Sequence, residues 1–162
     1  MTEPPEDTVT PRALRAPELI LRQPFGYKID LWSFGCLIFE LLTGLPLFCV
    51  LCLGSDQEDI DSADDALLCL MNDRIGPLPN AIKEAWTRYS KNYGPNGELL
   101  PVEGFEREPC EPLEESLAEL KPDDINAEEL KIVCNLIRSI LDFDPAKRPS
   151  AADLLEHPWF SE

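Results

Sequence analysis

From Tyr27 to Leu42 the chain places Leu31, Trp32, Phe34, Leu37, Ile38, Phe39, Leu41 and Leu42 so that, at helical spacing, apolar side chains point in nearly every direction. A helix with no polar side must be enclosed by other elements, so this run predicts a buried helix at the centre of a core. Glu40 interrupts the run, and Gly44 and Pro46 stop it. Joined to the following LFCVLCLG it approaches the roughly 20 apolar residues that a membrane span needs. Glu40 in mid-run and the Gly44 and Pro46 break argue against a span. The 162 residues suffice for one core of this kind and are too few for two substantial ones.

A second strong helix begins at Asn126, whose side chain and that of Glu129 have the capping-box spacing. Its Leu130, Val133, Leu136, Ile137, Ile140 and Leu141 make a stripe that has to face the core. Ser150 and Asp153 repeat the capping spacing before a short last helix, which ends on Trp159 and Phe160. Between the two strong helices lies DQEDIDSADD at 56–65, with six acids and no base. It leads into a helix whose Leu67, Leu70 and Met71 share a face and whose end Gly76 can cap. From Pro77 to Asp124 the pattern loosens around recurring Pro and Gly, with Trp86 and Tyr89 as isolated anchors, and reads as an insert wrapped over the core. Residues 1–7 read as a frayed, disordered start. Nothing in these patterns demands a sheet, and the expected fold class is mostly α.

Charge and cysteine content narrow the possible partners. With 31 acids against 14 bases the net charge is −17, the wrong sign for gripping nucleic acid or anionic lipid, so basic partners are expected. Cys36, Cys49, Cys52, Cys69, Cys110 and Cys134 are mostly set in apolar periodic runs with no signal-peptide pattern before them. They read as reduced thiols of a cytoplasmic or nuclear chain. Cys49 and Cys52 form a C-x-x-C, but no second pair or suitably placed His completes a zinc site, so apolar packing is the reading preferred over a redox or metal role. The single histidine, His157, lies between Glu156 and Pro158 and reads as a surface or packing residue.

Three landmarks stand in a telling order: RAPELIL at 15–21, DLWSFG at 30–35 and FDPAKRPSAADLLEHPWF at 143–160. Together they resemble the C-terminal lobe of a eukaryotic protein kinase, whose signature set includes A-P-E. Arg15 before A-P-E and the long insert at 77–125 resemble the CMGC group, which holds the MAP, cyclin-dependent and SR-protein kinases. TPRALRAPELIL, NDRIGPLP and Tyr93-Gly94-Pro95-Asn96-Gly97 look most like the SR-protein-kinase-like Ser/Thr enzymes of fungi. The implied fold is the helical C-lobe over residues 8–160, without the β-rich ATP lobe and catalytic loop. The structural motif residues are then Ala16, Pro17, Glu18, Asp30, Trp32, Gly35 and Arg148.

The resemblance implies tasks for these residues. Glu18 pairs with Arg148, fastening the end of the activation segment to the late helices, and the guanidinium fork suits a carboxylate. Asp30 accepts N–H bonds from the family's catalytic loop. Pro11, Arg12, Leu14 and Arg15 match a substrate-side loop where many members carry Thr-Arg-x-Tyr-Arg. Pro11 and Leu14 depart from that pattern, removing a hydroxyl and a phenol, so peptide selection does not carry over. In SR-protein kinases an acidic groove beside the insert receives Arg-rich peptides. Asp56, Glu58, Asp59, Asp61, Asp64 and Asp65 are the corresponding candidates here, together with the acids from Glu103 to Glu119.

Phosphoryl transfer requires a Gly-rich loop, a strand lysine, an H-R-D loop and a metal-binding Asp before Phe-Gly. None occurs in this sequence: Asn80-Ala81-Ile82-Lys83 follows A-P-E instead of preceding it, and Asp142-Phe143 continues into Asp144. The chain therefore reads as starting inside the activation segment. Mg-ATP, the family's cofactor, is expected to have no site on it, and no catalytic or metal-binding residue is assigned. Two functions follow as expectations. One is a part of a Ser/Thr kinase that is inactive as this chain; the other is a non-catalytic module docking basic Arg/Ser-rich peptides.

Overall fold

The computed structural model describes residues 10–52, 54–101 and 110–160. Among them the regular structure is helical, and the one β feature is an isolated antiparallel bridge between Tyr93 and Leu99. The eight α-helices are α1 (Pro17–Ile20), α2 (Lys28–Thr43), α3 (Gln57–Ile75), α4 (Asn80–Ala85), α5 (Tyr89–Asn92), α6 (Leu113–Leu120), α7 (Ala127–Ile140) and α8 (Ala151–Leu155). Short 3-10 turns flank them at Arg12–Leu14 and Pro158–Phe160. The mostly α expectation is met. No helix among the described residues is long and apolar enough to cross a membrane.

Local chemistry sets the helix ends. Asn126 accepts the Glu128 and Glu129 N–H groups while the Glu129 carboxylate accepts from the Asn126 N–H at 2.8 Å, the reciprocal box read from the sequence. Ser150 and Asp153 close a second such box on α8. Asp56 caps α3 by accepting from the Asp59 N–H at 2.9 Å. Gly44, at φ +74°, ends α2 in the left-handed conformation that a residue with a Cβ resists.

Helix α2 packs on α7, and α6 packs against both. The core they form contains Trp32, Cys36 and Phe39 of α2, Leu113 and Leu117 of α6, and Leu136, Ile137 and Ile140 of α7. Trp32 stacks on Phe48 at 6.0 Å between ring centroids and meets Phe143 at 6.2 Å. One face of α2 departs from the expected complete burial. Phe34, Leu37 and Leu41 lie 37%, 40% and 83% exposed, a stripe at spacings of three and four. α7 meets α2 at Gly35 instead, and on the exposed stripe the Phe160 ring stacks on Phe34 at 6.5 Å.

The stretch read as a wrapped insert is more integrated than that description. Leu113 and Leu117 of α6 are fully buried. Trp86 and Tyr89 are not isolated: with Tyr93 they form a trio, Tyr89 and Tyr93 stacked at 4.9 Å and Trp86 edge-on to both. The acids Glu103, Glu106 and Glu108 lie outside the described residues, as do residues 1–7. Among the cysteines, Cys36, Cys69 and Cys134 are buried, and burial pushes the Cys36 and Cys134 thiols up, away from reactive thiolate. Cys49 is exposed and Cys52 half-buried, so the packing reading fails for Cys49. It sits in the loop after α2, where Leu47 and Phe48 turn inward instead.

Gly35 marks the closest approach of α2 to α7. A Cβ there meets Ile140 Cγ2 at 2.8 Å and Leu141 Cδ2 at 3.0 Å. Gly35→Ala gains up to about 1 kcal/mol of helix propensity, but it overpacks a seam at a cost of about 1–3 kcal/mol. Gly35→Ala is expected to lose up to about 2 kcal/mol of stability in urea unfolding. Gly26→Ala, where nothing lies within 4 Å, should change little.

Candidate functional site

Two of the motifs, A-P-E and K-R-P, become a single joint in space. Pro17 opens α1 at a position where its missing N–H costs nothing, and Glu18 follows it into the core. Arg148 reaches back from the loop after α7, and both side chains are essentially enclosed. Arg148 donates from Nη1 to Glu18 Oε1 at 2.6 Å and from Nη2 to Oε2 at 2.9 Å, a bidentate pair. It also donates to the Asp142 carbonyl at 2.8 Å and the Lys28 carbonyl at 3.1 Å, and its guanidinium lies 5.0 Å from the Trp32 ring centroid. One buried cation thus ties together α1, the start of α2 and the α7–α8 connection. Ala16 is completely buried, and Trp32 and Gly35 are buried on α2.

Asp30 stands apart from that joint. It is exposed in the first turn of α2, four residues before Phe34 and seven before Leu37, on the edge of the uncovered stripe. None of the described residues donates a hydrogen bond to its carboxylate.

Residues Pro11 to Arg15 form a tight turn closed by the Leu14 N–H on the Pro11 carbonyl at 2.9 Å. Pro11 is exposed, while Leu14 packs on the core and its carbonyl accepts from Ser33 of α2 at 2.8 Å. Arg12 pairs with Asp64 of α3, and Arg15 donates from Nε to the Thr10 carbonyl at 3.0 Å. This loop is therefore held between α2 and α3.

The six acids proposed as one docking run divide into two groups. Asp56, Glu58 and Asp59 are exposed around the start of α3. Asp61, Asp64 and Asp65, at spacings of three and four, share a face turned toward the chain's own arginines. Asp65 is 7% exposed and accepts from Trp86 Nε1 at 2.7 Å, Arg88 Nη2 at 2.8 Å and Asn92 at 3.3 Å. Asp64, 6% exposed, has its carboxyl pushed up by burial, with Arg12, Arg15 and Arg88 pulling the other way. Asp61 meets Arg88 at 3.3 Å and Arg22 at 3.8 Å. Sequence reading found the acids and missed these arginines. The signal available was the spacing of three and four, which puts carboxylates on a single helix face.

A cavity of about 210 Å³ opens beside this face, bounded by the end of α1, by α3 and by the Ala85–Arg88 segment. It is lined by Arg22, Asp61, Asp64 and Arg88 over an apolar floor of Leu68 and Trp86. Its donor set does not suit Mg-ATP: two guanidiniums already face the carboxylates, and no glycine-rich turn borders it. Nor do the described residues, here or elsewhere, bring together three side chains placed to hold a metal ion.

Comparison with known proteins locates this architecture. The family model described as "Protein kinase domain" matches residues 2–160. The chain is similar to the serine/threonine-protein kinase SRPK of Physarum polycephalum, 32% identical over 96% of this chain and 34% of that protein. It is similar to the dual specificity protein kinase CLK2 of Homo sapiens, 34% identical over 94% of this chain and 28% of that protein. With the serine/threonine-protein kinase SKY1 of Saccharomyces cerevisiae the identity is 30%, over 96% of this chain and 20% of that protein. The chain spans about a fifth to a third of the length of these relatives, which come from a slime mould and a mammal as well as a fungus.

Proposed function

The chain belongs to the protein kinase family, and on that premise we propose that it supplies the helical, substrate-side part of a Ser/Thr kinase of the SRPK and CLK type and transfers no phosphate by itself. The observation that carries this reading is the Glu18–Arg148 joint. It braces the Pro11–Arg15 loop end against the late helices and leaves Asp30, Phe34, Leu37 and Leu41 open on the opposite side of α2. A carboxylate beside an apolar stripe offers hydrogen-bond acceptance and apolar cover to a further segment of a catalytic domain. Catalysis of phosphoryl transfer is positioning plus charge stabilisation, and the groups that position nucleotide and metal are absent from this sequence.

Two assays test the proposal. The purified 162-residue chain, given radiolabelled Mg-ATP and an Arg/Ser-rich protein, should show no turnover above a mock preparation and no nucleotide-induced rise in melting temperature; turnover overturns it. Joined behind the amino-terminal part of the Physarum relative's kinase domain, residues 10–160 should restore phosphotransfer, and a folded chimaera without activity counts against the substrate-side role.

A second reading is favoured by the exposed acids at the start of α3: a surface that docks a basic Arg/Ser-rich protein or peptide. Asp56, Glu58 and Asp59 have no arginine partner among the described residues, in a chain of net charge −17. Affinity for an Arg/Ser peptide should fall as ionic strength rises, and salt-insensitive binding would count against docking.

A further inference from the structure

We propose that Arg22 is an internal latch on the α3 cavity: its guanidinium loosely holds the place that an arginine of a docking peptide takes when it binds. The inference rests on the docking reading above and adds to it both the subsite and its regulation.

Three arginines face the inward acids of α3, and they are held differently. Arg12 is locked on Asp64, and Arg88 makes bonds of 2.8–3.0 Å with Asp65. Arg22 reaches Asp61 Oδ1 only at 3.8 Å, beyond hydrogen-bond range, with 72% of its side chain exposed. An ion pair of that length and exposure is weak and readily exchanged. Its backbone is unusual as well. Among the described residues Arg22 is the one non-glycine at positive φ, +53°. A β-carbon is disfavoured there and glycine would sit without strain, so arginine at this position is kept against a local cost.

The cavity matches a second guanidinium. Asp61 offers its carboxylate at the mouth, where Oδ1 accepts one bond from Gln57 at 2.7 Å and Oδ2 faces Arg88 at 3.3 Å, leaving acceptor capacity on each oxygen. Leu68 and Trp86 provide an apolar floor for the methylene stem, while Thr87 lines the side. An arginine entering from a peptide can approach Asp61 in fork geometry, whereas Arg22 reaches one oxygen only, at 3.8 Å. An internal competitor reduces apparent affinity by the fraction of time it occupies the site. Peptides with several arginines overcome it more easily than those with one, which sets a threshold on charge density.

The test uses the full 162-residue chain and a fluorescent eight-repeat Arg-Ser peptide, read by anisotropy, with melts run on every variant. Arg22→Gly should tighten binding about threefold and Asp61→Asn should weaken it about fivefold. Arg22→Lys, which keeps the charge, should stay near the parent affinity. If Asp61→Asn melts early, the glycine and lysine variants decide the matter alone. Weaker binding in Asp61→Asn with no change or a loss in Arg22→Gly overturns the latch and leaves docking standing. Equal tightening by glycine and lysine also overturns it, because the charge is then not the latch. Absence of binding by the parent and by Arg22→Gly removes the docking reading and the latch with it. Binding of a phosphoserine peptide that Arg22→Gly abolishes makes the cavity an anion site and overturns both.

Discussion

Arg148→Ala is expected to lower the free energy of unfolding by about 3–5 kcal/mol, the usual cost of stranding one partner of a buried ion pair. The substitution removes more than a charge. Glu18 stays enclosed with neither oxygen paired to a cation, the Asp142 and Lys28 carbonyls lose their donor, and Trp32 loses the cation over its ring. Against a total stability of about 5–15 kcal/mol for a domain this size, that loss is between about a fifth of the whole and all of it. Urea unfolding followed by circular dichroism measures it. A loss below about 1 kcal/mol would show the pair to be peripheral. A cycle with Glu18→Gln sharpens the result: the double variant should be more stable than the sum of the singles predicts, because the second change removes the stranded charge. The joint matters for function because α1 carries the end of the Pro11–Arg15 loop, so loosening Arg148 frees the loop at that end and leaves it held by Arg12 on Asp64 and by Ser33 on the Leu14 carbonyl.

How much of this could be read from the sequence depends on the reach of each interaction. The α7 and α8 caps were legible because donor and acceptor lie three residues apart and the same residue types recur wherever a helix begins. The Glu18–Arg148 pair joins residues 130 positions apart, and no periodicity links them; it was legible through the family resemblance alone. The acids of α3 were legible as acids and not as partners. Asp64 finds Arg12 across 52 residues and Asp65 finds Arg88 across 23, distances over which a single sequence carries no pairing signal. The all-round apolar pattern of α2 implies complete burial, and that is what the residues require. What it could not supply is which side the described elements cover, and they cover the side of Trp32, Cys36 and Phe39. The exposed remainder is therefore a demand written in the sequence and unmet among these residues, which is why it supports a role beside further structure.

Leu117→Ala carries the second large expectation, a loss of about 2–5 kcal/mol from removing a buried leucine side chain. LEESLAEL gives little sign of this, since Leu113 and Leu117 sit among four acids and a proline from Glu111 to Glu119 and the surrounding stretch is rich in loop residues. In the fold both leucines are 0% exposed, and α6 lies against α2 and α7 together. The helix is also pinned from its polar side. Arg138 of α7 grips Glu114 with Nε at 2.5 Å and Nη2 at 2.7 Å, holding that carboxyl below its ordinary range, and Arg74 of α3 bonds Ser116. A side chain so fixed cannot relax far to fill the space Leu117 vacates, which places the cost in the upper part of the range. Leu120, 38% exposed on the same helix, is the control, and Leu120→Ala should lose less than about 1 kcal/mol. If 77–125 were a layer wrapped over a finished core, the two variants would melt alike. A clear gap between them instead makes α6 part of the core itself, so that the segment bearing Asp65's partners Trp86 and Arg88 is held in place at both ends, by α3 before it and by α6 after it.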